Sequence, residues 1–587
     1  MITSAPAPHP VWLTIAMFAI FAAAFAVLAL RLHALQIEQH EALRARGERQ
    51  RVRVISVPAR RGGIFDASGA PLAVSQPSWT LLADPAYMDD RLRATLELER
   101  IIGVPRERLR AHFSAATNGR VIAHGLDEAQ AQAIRELRLR GLRLRRDHAR
   151  CWPSEPLAPH VVGFVNDDGR GGGGIEQTMH EWLAGRDGRE VMEVDALGNP
   201  LVGISGERQE PEDGHHVQLT IEIPVQRALE AALAEAAEKH APQGIAGIVV
   251  RAATGEIVAM ASWPTFDPRD RSTFRPEALN NRAVQFTYEP GSTFKPLIAG
   301  AAVADGLARF DERIFCEHGR WTHRVGRAAR TITDHSLASG GHGMLTVTEG
   351  IALSDNILMA KLGLRLGPQR LYEWVQQLQF GRRLGIPLPG EGPGIVRPRQ
   401  AWNELGACMS VPMGHEIAVT PLQLIMAHAA IANRGMWMPP RLIKRVWREG
   451  ASDAALPLLE APRRVFREQD ALQIEEAMTH TMSEGTARAS DLEGYVAAGK
   501  TGTTMKIVDG RYSHEQHVGS FVGWAPAHRE APVQDKLVCL IALDDATKNG
   551  HFGAQVAAPY VQRVLQFALE RAGVPKVEKP APARRAR

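Results

Sequence analysis

The sequence predicts a multi-domain α/β protein, and three observations predict it. One uncharged apolar run lies near the N-terminus, short strand and turn signals follow it, and a larger region passes from strands through helices back to strands. That last order is the pattern of a mixed or antiparallel sheet covered by helices. At 587 residues the chain exceeds one ordinary core, so two or three folded units are expected. A hydrophobic fraction of 45% and a charged fraction of 23% exclude a disordered or multi-span chain. With 69 basic against 65 acidic residues the charges largely cancel, and no nucleic-acid partner is implied.

Val11 to Leu30 carries no charge and only Thr14 as a polar residue. About 20 such residues span a bilayer core as a helix, whereas a cleaved signal has an apolar stretch of roughly 7–15. Residues 11–32 are therefore expected to be an uncleaved transmembrane anchor, preceded by a short segment over 1–10. Arg31, Arg44, Arg46, Arg49, Arg51 and Arg53 follow the span, and no Lys or Arg precedes it. That bias favours a cytoplasmic C-terminal side, although long domains translocate against it.

His33–Arg49 reads as a helix continuing from the span. VRVISV from Val52 reads as a strand, with turns at Gly62-Gly63 and Ser68-Gly69. Asp90–Arg146 reads as helical and Arg-rich, its alternating charges marking a solvated surface. The glycines at 169–174 and 185–188 read as loops. A second unit begins near His216 with the strand VQLTI and a helix over Pro224–His240, followed by two strands joined at Thr254-Gly255. Helices are expected over Ser292–Leu378, Pro421–Asn433 and Glu468–Ser483, and strands at YVAAGKTGTT, VGSFVGWA and KLVCLIAL. The Pro/Ala/Arg-rich residues 573–587 read as a disordered tail.

Cys151, Cys316, Cys408 and Cys539 form no CxxC pair, so neither a metal ribbon nor a disulfide scaffold is indicated. Cys316, His318, His323, His335 and His342 cluster in sequence, which raises a zinc-ligating reading. Their spacing fits no standard structural site, so they read as surface-loop residues and no metal is expected.

Three constellations carry chemistry. In Glu289-Pro290-Gly291-Ser292-Thr293-Phe294-Lys295 a turn feeds a helix, so Ser292 sits where unpaired N–H groups favour developing negative charge. Lys295 lies one turn on along the same face, where a neutral amine could take the serine proton. Such a Ser/Lys pair arises about once by chance in a chain of this composition. Ser354-Asp355-Asn356 offers a hydroxyl to pass a proton and an amide to bind a peptide group, with a helix cap as the competing reading. Lys500-Thr501-Gly502-Thr503 offers a cation, hydroxyls and a glycine for close backbone approach, with a protected edge strand as the competing reading.

Together, S-x-x-K, S-D-N and K-T-G in this order are the signature set of penicillin-binding proteins and class A β-lactamases. The chain resembles the class B penicillin-binding proteins, and within them the division-specific peptidoglycan D,D-transpeptidases. Arg61 to Gly69, with Ala67 in place of the usual arginine, resembles the family's first pedestal motif. Arg150-Cys151-Trp152-Pro153 with His160 to Phe164 resembles the second, with Glu155 where glycine is usual, and Gly171 to Glu176 the third. VTPLQL at Val419–Leu424 and HFGAQVAAP at His551–Pro559 also match.

The resemblance implies an elongated α+β pedestal over 33–212 and a transpeptidase domain over 213–572 with a mainly antiparallel sheet covered by helices. It implies Ser292 as nucleophile, Lys295 as base and Ser354 as proton relay. Asn356, Lys500, Thr501, Gly502 and Thr503 would bind substrate, and the N–H groups of Ser292 and Thr503 would form the oxyanion hole. It implies no cofactor. Its partners would be peptidoglycan stem peptides, β-lactams, a membrane-embedded glycan polymerase and other division proteins. The catalytic domain would lie in the periplasm, held by a single pass through the inner membrane. A carboxypeptidase or β-lactamase of the same fold is the enzymatic alternative, and a catalytically silent division scaffold the other.

Overall fold

The computed structural model describes residues 10–577 except 115–118, 154, 195–199, 457–459, 484 and 488–490. Of the expected disordered tail over 573–587, residues 573–577 are instead ordered, because Val574 O accepts from the Tyr495 hydroxyl at 3.0 Å and the Val577 N–H donates to Gly494 O at 2.9 Å. Residues 578–587, and residues 1–9, lie outside the described residues. The chain divides into two compact units, Met1–Ala59 with Gly185–Asp213, and Arg60–Ala184 with Gly214–Arg587.

In the first unit Val11–His33 is one continuous helix. From Val11 to Leu30 its side chains are apolar all round except Thr14, and none is buried; Trp12, Phe18, Phe25 and Leu30 are among the most exposed. An all-apolar surface with nothing packed on it suits lipid, and Val11–Glu38 is long enough to cross a bilayer. The helix expected over His33–Arg49 forms with one irregularity, a π-turn at Ala34–Glu38 before His40–Arg51. Val52–Val57 then pairs antiparallel with Gly188–Val194, which pairs with Pro200–Gln209. Asp187 accepts hydrogen bonds from the Ser56 hydroxyl and the Ala59 N–H, both at 2.9 Å.

The second unit is organised by a five-stranded antiparallel sheet in the order Ile257–Trp263, Gly244–Arg251, Leu537–Asp544, Arg511–Ala525, Ala498–Val508. Its middle strand, LVCLIALD, is buried along its whole length. The period of two divides it between two cores. Val538, Leu540 and Ala542 pack with Pro421–Ala432 and Lys295–Ala304. Cys539, Ile541 and Leu543 pack with Ile223–His240 and Ala558–Arg571. Helices therefore cover both faces, as the strand–helix–strand order predicts. The apolar helix Pro421–Ala432 is buried at every residue and started by a reciprocal Thr420/Gln423 cap.

A second, mixed sheet runs Ile443–Trp447, His216–Leu219, Ile64–Phe65, Pro71–Ala83, Arg120–Leu126, with Leu142–Cys151 also on Pro71–Ala83. Two of these strands correct the helical reading of Asp90–Arg146. Helices do form at Arg91–Ile102, Arg106–Ser114 and Glu128–Glu136, but Leu142-Arg143-Leu144-Arg145 alternates with a strand's period and pairs with Pro71–Ala83 residue by residue. The helical reading of Ser292–Leu378 is likewise interrupted. Arg320–Val325 and Ala328–Thr333 form a hairpin turning at Gly326, and Arg313–Phe315 pairs with Met344–Thr346. The turn expected at Ser68-Gly69 forms, its geometry held by Asp66 Oδ1, which accepts from the Ser68 and Ala70 N–H groups. The one expected at Gly62-Gly63 does not. Gly62 is glycine because a Cβ would meet the His215 carbonyl oxygen at 1.9 Å.

The three motifs assigned above to a pedestal converge on one buried carboxylate. Glu176, fully inaccessible, receives Arg61 Nε at 2.7 Å and Arg150 Nε at 2.6 Å, and Arg150 Nη1 also donates to Gly62 O. Removing one partner of a buried pair leaves uncompensated charge. Glu176→Ala is expected to destabilise this unit by about 3–5 kcal/mol. An unchanged midpoint in denaturant titration would contradict that expectation.

Candidate active site

Glu289-Pro290-Gly291 delivers the chain to Ser292 through a bend that only glycine makes easily. Gly291 has φ +55°, and its N–H donates to Gly414 O at 3.1 Å. A tight turn over Gly291–Phe294 runs into the helix Lys295–Ala304. Pro296 falls in its first turn, where the missing N–H has no intrahelical role. Beneath, buried His428 is pushed down to about 4 by desolvation, so its neutral ring sits with Nε2 2.9 Å from Thr293 O as a structural donor. Ser292 itself is half-buried, and among the described residues none hydrogen-bonds its hydroxyl.

Lys295 is completely buried. Its ammonium donates to Ser354 O at 2.5 Å, Ser354 Oγ at 3.1 Å and Asn356 Oδ1 at 2.7 Å. Ser354 takes a left-handed φ of +62°, and Asp355 caps the helix Asn356–Gln377 by accepting from the Leu358 N–H. Both readings of Ser-Asp-Asn therefore hold. The aspartate is the cap, and capping with it turns the flanking hydroxyl and amide toward Lys295.

Lys500 lies on the edge strand Ala498–Val508, also completely buried. Its Nζ is 3.1 Å from Ser354 Oγ and 3.3 Å from Thr501 O. The strand lies directly on the Ser292 turn. A Cβ on Gly502 would meet Pro290 O at 2.9 Å and Ser520 Oγ at 2.6 Å, and Thr504 Oγ1 donates to Glu289 O at 3.0 Å. Thr501 exchanges a hydroxyl contact with Thr486 at 2.9 Å, and Thr503 Oγ1 accepts from Gly553 N–H at 3.0 Å. Gly553 belongs to the HFGAQVAAP stretch, and its lack of a side chain lets it approach Ser520 O and Gly502 O.

Three stretches far apart in sequence thus meet at one serine hydroxyl, Ser354 Oγ, which two lysines share. Burial lowers both lysines. Lys295 falls to about 8 despite Asp334 and Asp355 nearby, and Lys500 is held well below its ordinary value by desolvation and by the Lys295 charge.

Residues 245–566 match the penicillin-binding protein transpeptidase domain, and residues 56–219 the penicillin-binding protein dimerisation domain. The chain belongs to the penicillin-binding protein transpeptidase family. It is 30% identical over 551 residues to a probable peptidoglycan D,D-transpeptidase, PbpC, of Pseudomonas aeruginosa, covering 93% of this chain and 92% of that one. It is 28% identical over 560 residues to the peptidoglycan D,D-transpeptidase FtsI of Escherichia coli, covering 93% and 89%. Penicillin-binding protein 3 of Mycobacterium tuberculosis, solved with aztreonam, superposes with a TM-score of 0.68 at 25% identity, covering 90% of this chain and all of that one.

Other parts of this transpeptidase were not singled out in the sequence. Glu289 braces the cleft: His415 Nδ1 is 2.8 Å from its carboxylate, and the Glu416 N–H and the Tyr512 hydroxyl donate to it at 2.8 and 3.1 Å. Burial and the Glu289 charge raise the Tyr512 phenol, so it remains a donor. Asp334 accepts the Asn356 N–H at 2.8 Å. Burial opposes its ionisation, yet hydrogen bonds from His335, Ser336 and Asn356 hold it below the usual carboxylate range. The one sequence signal for it is an Asp two residues before a Ser, an ordinary Asx-turn pattern. Among the clustered Cys/His residues, His318 and His335 are exposed as expected, whereas Cys316 is buried and His342 half-buried. The four cysteines are unpaired.

Because only neutral lysine can accept a proton, acylation through Lys295 is expected to rise about tenfold per pH unit and level off above about 8. The pH profile of fluorescent-penicillin labelling measures this; a flat profile through that range would exclude Lys295 as the base.

Proposed function

We propose that this transpeptidase cross-links peptidoglycan stem peptides through an acyl-enzyme on Ser292, at the division septum, with its catalytic unit in the periplasm. The observation that carries the reading is the pair of buried lysines on Ser354 Oγ, one following the half-exposed Ser292 by a turn and the other on the strand that covers it. Septal action follows from the likeness to FtsI along nearly the whole chain. A membrane-embedded glycan polymerase supplies the strands, and the helix from Val11 holds the enzyme at the same membrane. On this reading residues 33–212 serve as pedestal and 213–572 as catalytic domain.

Free, the two lysines crowd each other, and one gives up its proton to solvent. An incoming peptide ending in D-alanyl-D-alanine brings a carboxylate to Lys500, Thr501 and Thr503. That charge raises Lys500, which keeps its proton, and leaves Lys295 neutral. Lys295 takes the Ser292 proton as Oγ attacks the penultimate carbonyl carbon. The N–H groups of Ser292 and Thr503 bind the oxyanion, each worth about 3–4 kcal/mol. The C–N bond breaks, the proton passes through Ser354 to the leaving amine, and D-alanine departs. Asn356 holds the stem amide. An amine from a neighbouring stem then attacks the ester, returning its proton along the same path. A β-lactam enters as a mimic of the D-alanyl end and acylates Ser292.

Ser292→Ala is expected to abolish covalent labelling by a fluorescent penicillin while leaving thermal unfolding unchanged, and a mutant that labels like the wild type would dismiss the nucleophile. Ser354→Ala is expected to slow acylation by about 10²–10⁴-fold. Bound penicillin is expected to persist, since rapid turnover would identify a hydrolase. Depletion of the protein is expected to give filaments; round cells would assign it to elongation.

A further inference from the structure

Next to the Ser354–Asn356 turn, Asp334, His342 and Asp355 each bring one donor atom within 4.8 Å of the others. Both carboxylates are inaccessible and the imidazole is 23% exposed. His342 Nδ1 stands 3.1 Å from Asp355 Oδ2 and 3.9 Å from Asp334 Oδ1. Donors about 3–4 Å apart are spaced like ligands sharing one tetrahedral ion at about 2.0–2.3 Å. The Cys316 thiol, 0% exposed and 3.6 Å from the Ile314 carbonyl oxygen, lies near the Asp355 carboxylate, whose charge helps hold it protonated, and is the nearby group able to complete the set.

The surrounding backbone holds these groups in place. Cys316 N–H donates to Gly343 O at 2.7 Å and His318 N–H to His342 O at 3.0 Å, which fixes the cysteine and histidine segments to each other. Asp334 is oriented by the Ser336 hydroxyl at 2.6 Å and by the Asn356 N–H, and Asp355 by the Leu358 N–H at 2.8 Å. Helix and turn capping accounts for these anchored oxygens. It does not account for a thiol and an imidazole converging on the same two buried carboxylates. Around the two buried carboxylates stand His342, His335 with its Nδ1 3.3 Å from Asp334 Oδ1, and Lys295 nearby. Neither His335 nor Lys295 lies between the carboxylates, the imidazole and the thiol, where a divalent ion would find its donors. Mixed sulfur, nitrogen and oxygen ligands with tetrahedral spacing select zinc among the common divalent ions.

We infer that Cys316, Asp334, His342 and Asp355 form a structural zinc site that clamps the Arg313–Thr346 segment onto the Ser354–Asn356 turn. With four protein ligands the ion has no open position for substrate, so its part is to hold Asp355, and through it Ser354 and Asn356, in place. Metal binding stands apart from the catalytic assignment, whereas the effect on acylation rests on it.

The full chain in detergent, stripped with a chelator and dialysed against zinc sulfate, is expected to retain one zinc per chain. Cobalt alone is expected to give thiolate-to-cobalt charge-transfer absorption that Cys316→Ser removes. His342→Ala is expected to lose stoichiometric binding, Ser336→Ala to weaken it about 10–100-fold through the outer shell, and Ser292→Ala to bind like the wild type. A wild-type chain that retains no stoichiometric zinc, or His342→Ala and Cys316→Ser chains that both retain it, overturns the site. Because chelation and cobalt substitution are read on the wild type, misfolding of a variant cannot decide the outcome. Penicillin labelling is expected to fall on chelation and recover with zinc. Labelling indifferent to zinc, in a chain that binds it, overturns the clamp.

Discussion

Two ammonium groups buried against one hydroxyl are the constraint to which the rest of the catalytic unit answers. Lys295 and Lys500 are each cut off from water, and each lies 3.1 Å from Ser354 Oγ. Desolvation alone makes a charged lysine costly there, and a second one beside it raises the cost. Ordinary folding would place both at the surface. Keeping them inside demands polar partners supplied by rigid elements, and every local feature of the cleft provides one: the Ser354 carbonyl, the Asn356 amide oxygen and the Thr501 carbonyl.

The fold meets that demand by bringing backbone very close to backbone. Gly291 against Gly414, Gly502 beneath Pro290 O and Gly553 against Gly502 O are contacts in which a methyl group has no room. They press the edge strand onto the Ser292 turn, so the spacing between the two lysines is fixed by main chain and not by flexible side-chain reach. The two helix layers and the fully buried strand Leu537–Asp544 provide the rigidity behind it. The neutral His428 under Thr293 O adds a polar tie without adding charge.

Much of this was legible in the sequence because the signals were local. The Val11 helix, the Thr254-Gly255 hairpin and the helix Glu468–Ser483 follow from run length, turn chemistry and period, and the three motifs named every residue around Ser354 Oγ. Failures came where tertiary pairing overrode charge pattern. Leu142–Cys151 carries arginines that suggested a solvated helix, yet it is a strand whose partner lies some seventy positions earlier. Gly62 looked like a turn because glycine usually is one, whereas its function is to let His215 O pass. The Glu289 brace and the Asp334–His342–Asp355 cluster follow no spacing rule. Their members come from separate loops and meet only after folding.

The shared hydroxyl also explains how a lysine can be both buried and selective. A lysine depressed by desolvation alone would be a base for any ester or amide that reached it. Here the proton is held by a pair, and which lysine carries it depends on what lies beside Lys500. On the proposed mechanism a ligand ending in a carboxylate stabilises charge on Lys500 and frees Lys295. A ligand without one leaves the pair competing for the proton. Recognition of the substrate's terminus and activation of the nucleophile are, on that mechanism, one electrostatic event, transmitted through Ser354, and a peptide with a neutral end is disfavoured at the chemical step as well as at binding.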